Sequence, residues 1–164
     1  MSGFWTASLA AGLALGLAGP AGAAVTLSVT SLPGGQDIDF GNARSLGPEG
    51  QLESDTVVRQ VRVTITSTSG KPYQLFQEVH QPWTNLTGEE LPLDNVQFFI
   101  SDSSTSATVR FPNPAPLVLG QQEIFLSDGK GSSDELVITY TARVPPGQQM
   151  GDYRANLSFQ VVSQ

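Results

Sequence analysis

The chain has 164 residues, with 8 basic and 15 acidic side chains, one histidine, no cysteine and a net charge of −7. That balance repels nucleic acid and anionic lipid surfaces, so neither is expected as a partner. No disulfide can form, and a chain of this length holds one domain whose core can support it by burial alone.

Residues 1–23 differ from the rest. Ser8 to Gly19 is built of Ala, Leu and Gly without a charge, and Ala21-Gly22-Ala23 is a small-x-small cleavage pattern. This reads as a secretory signal peptide, cleaved after Ala23 or Ala24. Its apolar run, about 12 residues, is short of the ~20 that a stable membrane span needs. Residues 24–164 are then expected as a single domain.

No helical period survives beyond residue 24. Val25-Thr26-Leu27-Ser28-Val29-Thr30 alternates apolar and polar, and Pro33-Gly34-Gly35 breaks it. Asp37 to Gly41 gives a second short piece, and Gly47 to Gly50 reads as a loop. Thr56 to Thr68 is a long strand with Val57, Arg59, Val61, Val63 and Ile65 on one face, Arg59 marking where the buried face has not yet begun. Tyr73 to His80 follows, with Tyr73, Leu75, Gln77 and Val79 sharing a face. A loop from Pro82 to Pro92 holds Trp83, and Val96 to Ser101 returns as a strand. Ser101 to Thr108 is a Ser/Thr-rich loop, and Pro112, Pro114 and Pro116 enforce an extended connection. Leu117 to Leu119 and Glu123 to Leu126 are short strands, Asp128 to Ser133 is a turn, and Leu136 to Val144 alternates again.

The chain closes on Gly151 to Gln164, where Tyr153, Ala155, Leu157, Phe159 and Val161 form one side of a period-two ladder. Strands at intervals of about ten residues, joined by Gly, Pro and Ser turns, predict an all-β, antiparallel sandwich of about seven to nine strands.

Single residues with chemistry to offer are few. His80 stands at a strand end with no second imidazole and no nucleophile elbow, which argues against a zinc site or a catalytic triad. Asp128 to Glu135 puts oxygen ligands in a glycine loop, yet Lys130 sits where a ligand should be, so a solvated hairpin is expected. Asn85-Leu86-Thr87 and Asn156-Leu157-Ser158 match the glycosylation sequon by coincidence. Trp83, near Tyr73 and Phe76 in sequence, has two readings: a core lid, or a platform for stacking a sugar. No catalytic residue, metal or cofactor is expected.

Pro146-Gly147-Gln148-Gln149-Met150-Gly151-Asp152-Tyr153, followed by an alternating strand, resembles the closing hairpin of bacterial immunoglobulin-like surface domains, fimbrial subunits among them. Near the start, a strand followed by Ile38-Asp39-Phe40-Gly41-Asn42 resembles the opening of pilin-like subunits of the spore coat protein U type. Gly151 is fourteenth from the end, as in that family, while Ser163 stands where the family has an aromatic residue.

The resemblance implies an immunoglobulin-like sandwich short of one strand, and a structural or adhesive subunit of a pilus-like fibre. It implies a route through the periplasm to the cell surface or medium, with a periplasmic chaperone, an outer-membrane usher and sister subunits as partners. Gly151, Tyr153, Leu157, Phe159 and Val161 would flank the groove left by the missing strand. Val25, Leu27 and Val29, in an arm over residues 24–32, have the spacing a donated strand needs. A strand pairing inside its own domain would show the same alternation, so both placements of the arm stay open. The competing function is a stand-alone extracellular binding module, with Trp83 as its carbohydrate platform.

Overall fold

Period-two alternation dominates the structure, a computed structural model that describes residues 24–32, 42–43, 56–102, 106–145, 148 and 151–164. The leader over 1–23, the piece from Asp37 to Gly41 and the loop from Gly47 to Gly50 lie outside the described residues, as do Ser103 to Thr105.

The strands in chain order are β1 (Val25–Leu32), β2 (Asn42–Ala43), β3 (Thr56–Ser67), β4 (Tyr73–Val79), β5 (Trp83–Thr84), β6 (Glu90–Leu91) and β7 (Val96–Asp102). They continue with β8 (Thr108–Val109), β9 (Ala115–Pro116), β10 (Gly120–Leu126), β11 (Asp134–Arg143), β12 (Gly151–Asp152) and β13 (Leu157–Ser163). A 3-10 turn, Leu93–Asn95, precedes β7.

Nine of the strands make two antiparallel sheets that face each other. The five-stranded sheet runs β1-β3-β11-β7-β9 and the four-stranded sheet β13-β4-β10-β8. The expected sandwich of about seven to nine strands matches these two sheets; the ladders β12-β2 and β5-β6 are additions too short to show a period.

Inward side chains meet in one core. Val61, Val63 and Ile65 of β3, Leu136, Ile138 and Tyr140 of β11, and Phe98 of β7 face Tyr73, Leu75 and Val79 of β4 and Phe159 of β13, all buried. A bulge in β10 turns both Ile124 and Phe125 inward. Central β11 pairs with β3 along its whole length and with β7 along most of it.

Two expected strands are corrected. Leu117 to Leu119 is not a strand: Gly120 adopts φ +87°, which ends the extended run, and Val118 and Leu119 stay exposed while Leu117 fills the core. The closing strand is broken rather than continuous. Gly151–Asp152 pairs with β2, Arg154 bridges to Thr84, and only Leu157–Ser163 runs along β4.

Candidate functional site

Each sheet ends on two edge strands, and the two lateral sides of the sandwich differ in kind. On one side lie β8 and β9, two residues each. Pro116 stands in β9, and the outer edge of β7 is further covered by Leu117, whose N–H bonds to the Val96 carbonyl, and by the Phe111 carbonyl, which accepts from Ile100 N–H. Arg110, next to β8, grips Glu123 of β10 through Nε and Nη2, each 2.6 Å from Oε1. Short strands, proline and charge are the usual means by which a sheet edge is kept from pairing with another chain.

Among the described residues the other side has none of these. Its edges are β1, eight residues, and β13, seven residues, which lie beside one another. Val25 to Leu32 and Leu157 to Ser163 contain no charged side chain and no proline. In the immunoglobulin-like order, where strands A, B, E, D make one sheet and C, F, G the other, β1, β3, β11 and β7 take the places of A, B, E and D. β4 and β13 take those of C and F, while β10, which follows β7 in the chain and pairs with β4, departs from that order. Among the described residues no strand pairs with the outer edge of β13.

The predicted arm is therefore found at this side, seated in its own chain. β1 pairs antiparallel with β3 through eight registered residues, from Val25 opposite Ser67 to Leu32 opposite Gln60. Ala24 fastens its end, accepting from Thr68 N–H at 2.9 Å and donating to Thr68 Oγ1 at 3.2 Å. Val25, Leu27 and Val29 point inward and pack on the core without being fully covered. Thr26, Ser28 and Thr30 face water. The arm does not pair with β13.

The five residues expected along the closing strand separate. Gly151 belongs to β12, opposite Ala43. Tyr153 is buried, its hydroxyl accepting from Gln148 Nε2 at 2.7 Å. Leu157 and Phe159 are buried on β13, and Val161 is half-buried. Only the last three line the open side.

Trp83 is corrected as a ligand platform. It opens β5 and is wholly buried, at 0% exposure, so neither face of its ring is available to a sugar. The turn it leads into is held by Asn85, whose Oδ1 accepts from Thr87 N–H, Thr87 Oγ1 and Glu89 N–H. Asn85 is itself buried, which keeps this sequon asparagine from a glycan.

His80, on the outer face of the four-stranded sheet, lies 2.8 Å from Ser158 Oγ through Nε2 and 3.6 Å from Glu78 Oε1 through Nδ1. The order of atoms is that of a serine–histidine–acid relay. The 3.6 Å gap exceeds a hydrogen bond, however, and the imidazole and the carboxylate are each some two-fifths exposed, so water competes at each link. Ser158 sits within a regular strand directly opposite Glu78, in a polar row continued by Gln121 and Gln160. Such a row solubilises a sheet face.

The Asp128 loop folds on itself. Asp128 accepts from Lys130 N–H, Ser132 N–H and Ser132 Oγ. The Ser132 N–H first, and then its hydroxyl, hold the carboxyl below its ordinary range. Its oxygens serve the turn. Among the described residues no group of three or more His, Cys, Asp or Glu side chains is placed to share a metal ion, and no helix is long and apolar enough to cross a membrane.

Among the described residues the chain forms an all-β antiparallel sandwich with two long, uncharged neighbouring edges. No family model, no curated protein and no solved structure matches the chain.

Proposed function

We propose that the chain is an exported, non-catalytic structural and adhesive subunit of a pilus-like surface fibre, whose copies join by donating β1 to a neighbour. One observation carries this reading: β1 and β13 are long edges left free of charge and proline, while the opposite side of the same sandwich is blunted. A free edge is a template for another strand, and main-chain hydrogen bonds with alternate side chains in pockets supply the affinity. The leader pattern in residues 1–23 supports export. Sister subunits are the partners, with a periplasmic chaperone and an usher covering the open side before assembly.

Immunogold labelling of cells producing the full chain tests this. Labelled fibres at the surface are expected, and Leu27→Lys, which points a charge into the core from β1, removes them while the protein is still made. Label confined to the cell, or a monomer released to the medium with no fibre, overturns the reading.

A further inference from the structure

We propose that the edge receiving a neighbour's arm is the outer edge of β3, in the register that β1 already occupies within its own chain. This rests on the reading of the chain as a strand-donating subunit, and it places the acceptor at β3 rather than in a groove beside the closing strand.

β3 offers β1 a complete partner: eight residues in continuous register, the Ala24–Thr68 clasp beyond them, and inward places for Val25, Leu27 and Val29 against the core. A second copy's β1 has the same sequence and would make the same contacts in that position. Exchange of identical elements costs no contact, so seating within or between chains is decided by concentration and the connecting segment. β13 offers less. It is one residue shorter than β1, and β1 lies beside it without pairing.

The charges point the same way. Outward side chains of β1 are Thr26, Ser28 and Thr30, and those opposite them on β3 are Thr66, Thr64 and Arg62. Arg62 is already engaged by Glu135 of β11 at 3.3 Å, so an incoming hydroxyl strand meets no unmatched charge. Donor and acceptor are different surfaces of one subunit, so exchange either continues head to tail or closes as a reciprocal pair. In both, Ser28 of one chain lies opposite Thr64 of another.

A cross-link reads this directly, because the chain has no cysteine of its own. Opposite Cα atoms in an antiparallel pair lie about 4.5–5.5 Å apart, within the span of about 4.4–6.8 Å that a disulfide bridges. Full chains carrying Ser28→Cys and Thr64→Cys, one of them mass-tagged, are refolded together and oxidised. A tagged–untagged heterodimer that dissolves with reductant is expected, and it is lost when Gln160→Cys on β13 replaces Thr64→Cys. A heterodimer with Gln160→Cys but not with Thr64→Cys overturns the β3 acceptor and leaves strand donation standing. No heterodimer in either mixture, with strand circular dichroism intact, overturns both. Thr26→Cys with Thr66→Cys, the neighbouring outward pair, repeats the test should the first pair disturb folding.

Discussion

The hydroxyl of Tyr140 on β11 donates a 2.9 Å hydrogen bond to the side-chain carbonyl of Gln77 on β4, joining the two sheets through the middle of the core. Gln77 in turn donates from Nε2 to Gln122 Oε1 at 3.3 Å. Both Tyr140 and Gln77 are buried, so the tyrosine hydroxyl and the Gln77 carbonyl depend on each other for a partner. Tyr140→Phe strands the carbonyl and is expected to cost about 1–3 kcal/mol in urea unfolding. Replacing both, with Gln77→Leu added, costs less than the two single changes summed.

The same bond has an alkaline signature. Burial pushes the Tyr140 hydroxyl above its ordinary value of 10. A group whose folded value is raised contributes stability that is complete below its unfolded value and is lost as the pH rises above it. Thermal melts are therefore expected to hold steady to about pH 10 and decline beyond. In Tyr140→Phe that part of the decline is absent.

Asp128 behaves in the opposite sense. Its carboxyl is held below the ordinary 3.8 by the Ser132 N–H and hydroxyl, so its contribution is present above that value and lost as the pH falls through the lower folded one. Melts between pH 5 and 2, compared with Asp128→Asn, check this; the variant should show a shallower acid slope.

Gly131 should tolerate no side chain. Its φ is +60°, and a Cβ there would stand 1.8 Å from the Lys71 carbonyl oxygen. Gly131→Ala must part the β10–β11 turn from Lys71 and is expected to cost at least about 1–3 kcal/mol. Gly129→Ala, with nothing within 4 Å of the added carbon, should be close to neutral by the same denaturant titration.

Trp83→Ala empties the largest buried volume in the core and is expected to cost about 3–5 kcal/mol. A glycan array should show the native protein retaining nothing that the substitution removes.

Alternation alone makes much of this fold legible. It put Val61, Val63 and Ile65 inward on β3, Arg59 at the end where burial fades, and even Gln77 on the same face as Leu75. What it could not show is who stands beside whom. A period of two assigns a residue to a face, and Val25, Leu27 and Val29 would alternate identically against β3, β13 or another chain. Two-residue strands escaped for a related reason, since Trp83–Thr84 or Ala115–Pro116 contains no period to detect. Trp83 was ambiguous because an indole in a proline-bounded loop fills a core or stacks on a sugar equally well until its burial is known. The contrast between the two lateral sides is written in Arg110, Pro116 and the uncharged run from Leu157, yet it becomes a contrast only once the topology sets those stretches on opposite sides.

If β1 is an arm exchanged between copies, the molar mass of the full chain depends on residues 24–32. Sedimentation over a concentration series is expected to show the intact chain assembling, and the shortened chain remaining a folded monomer. A stable monomer at every concentration from the intact chain, together with unfolding on removal of 24–32, would make β1 an ordinary strand of its own sandwich.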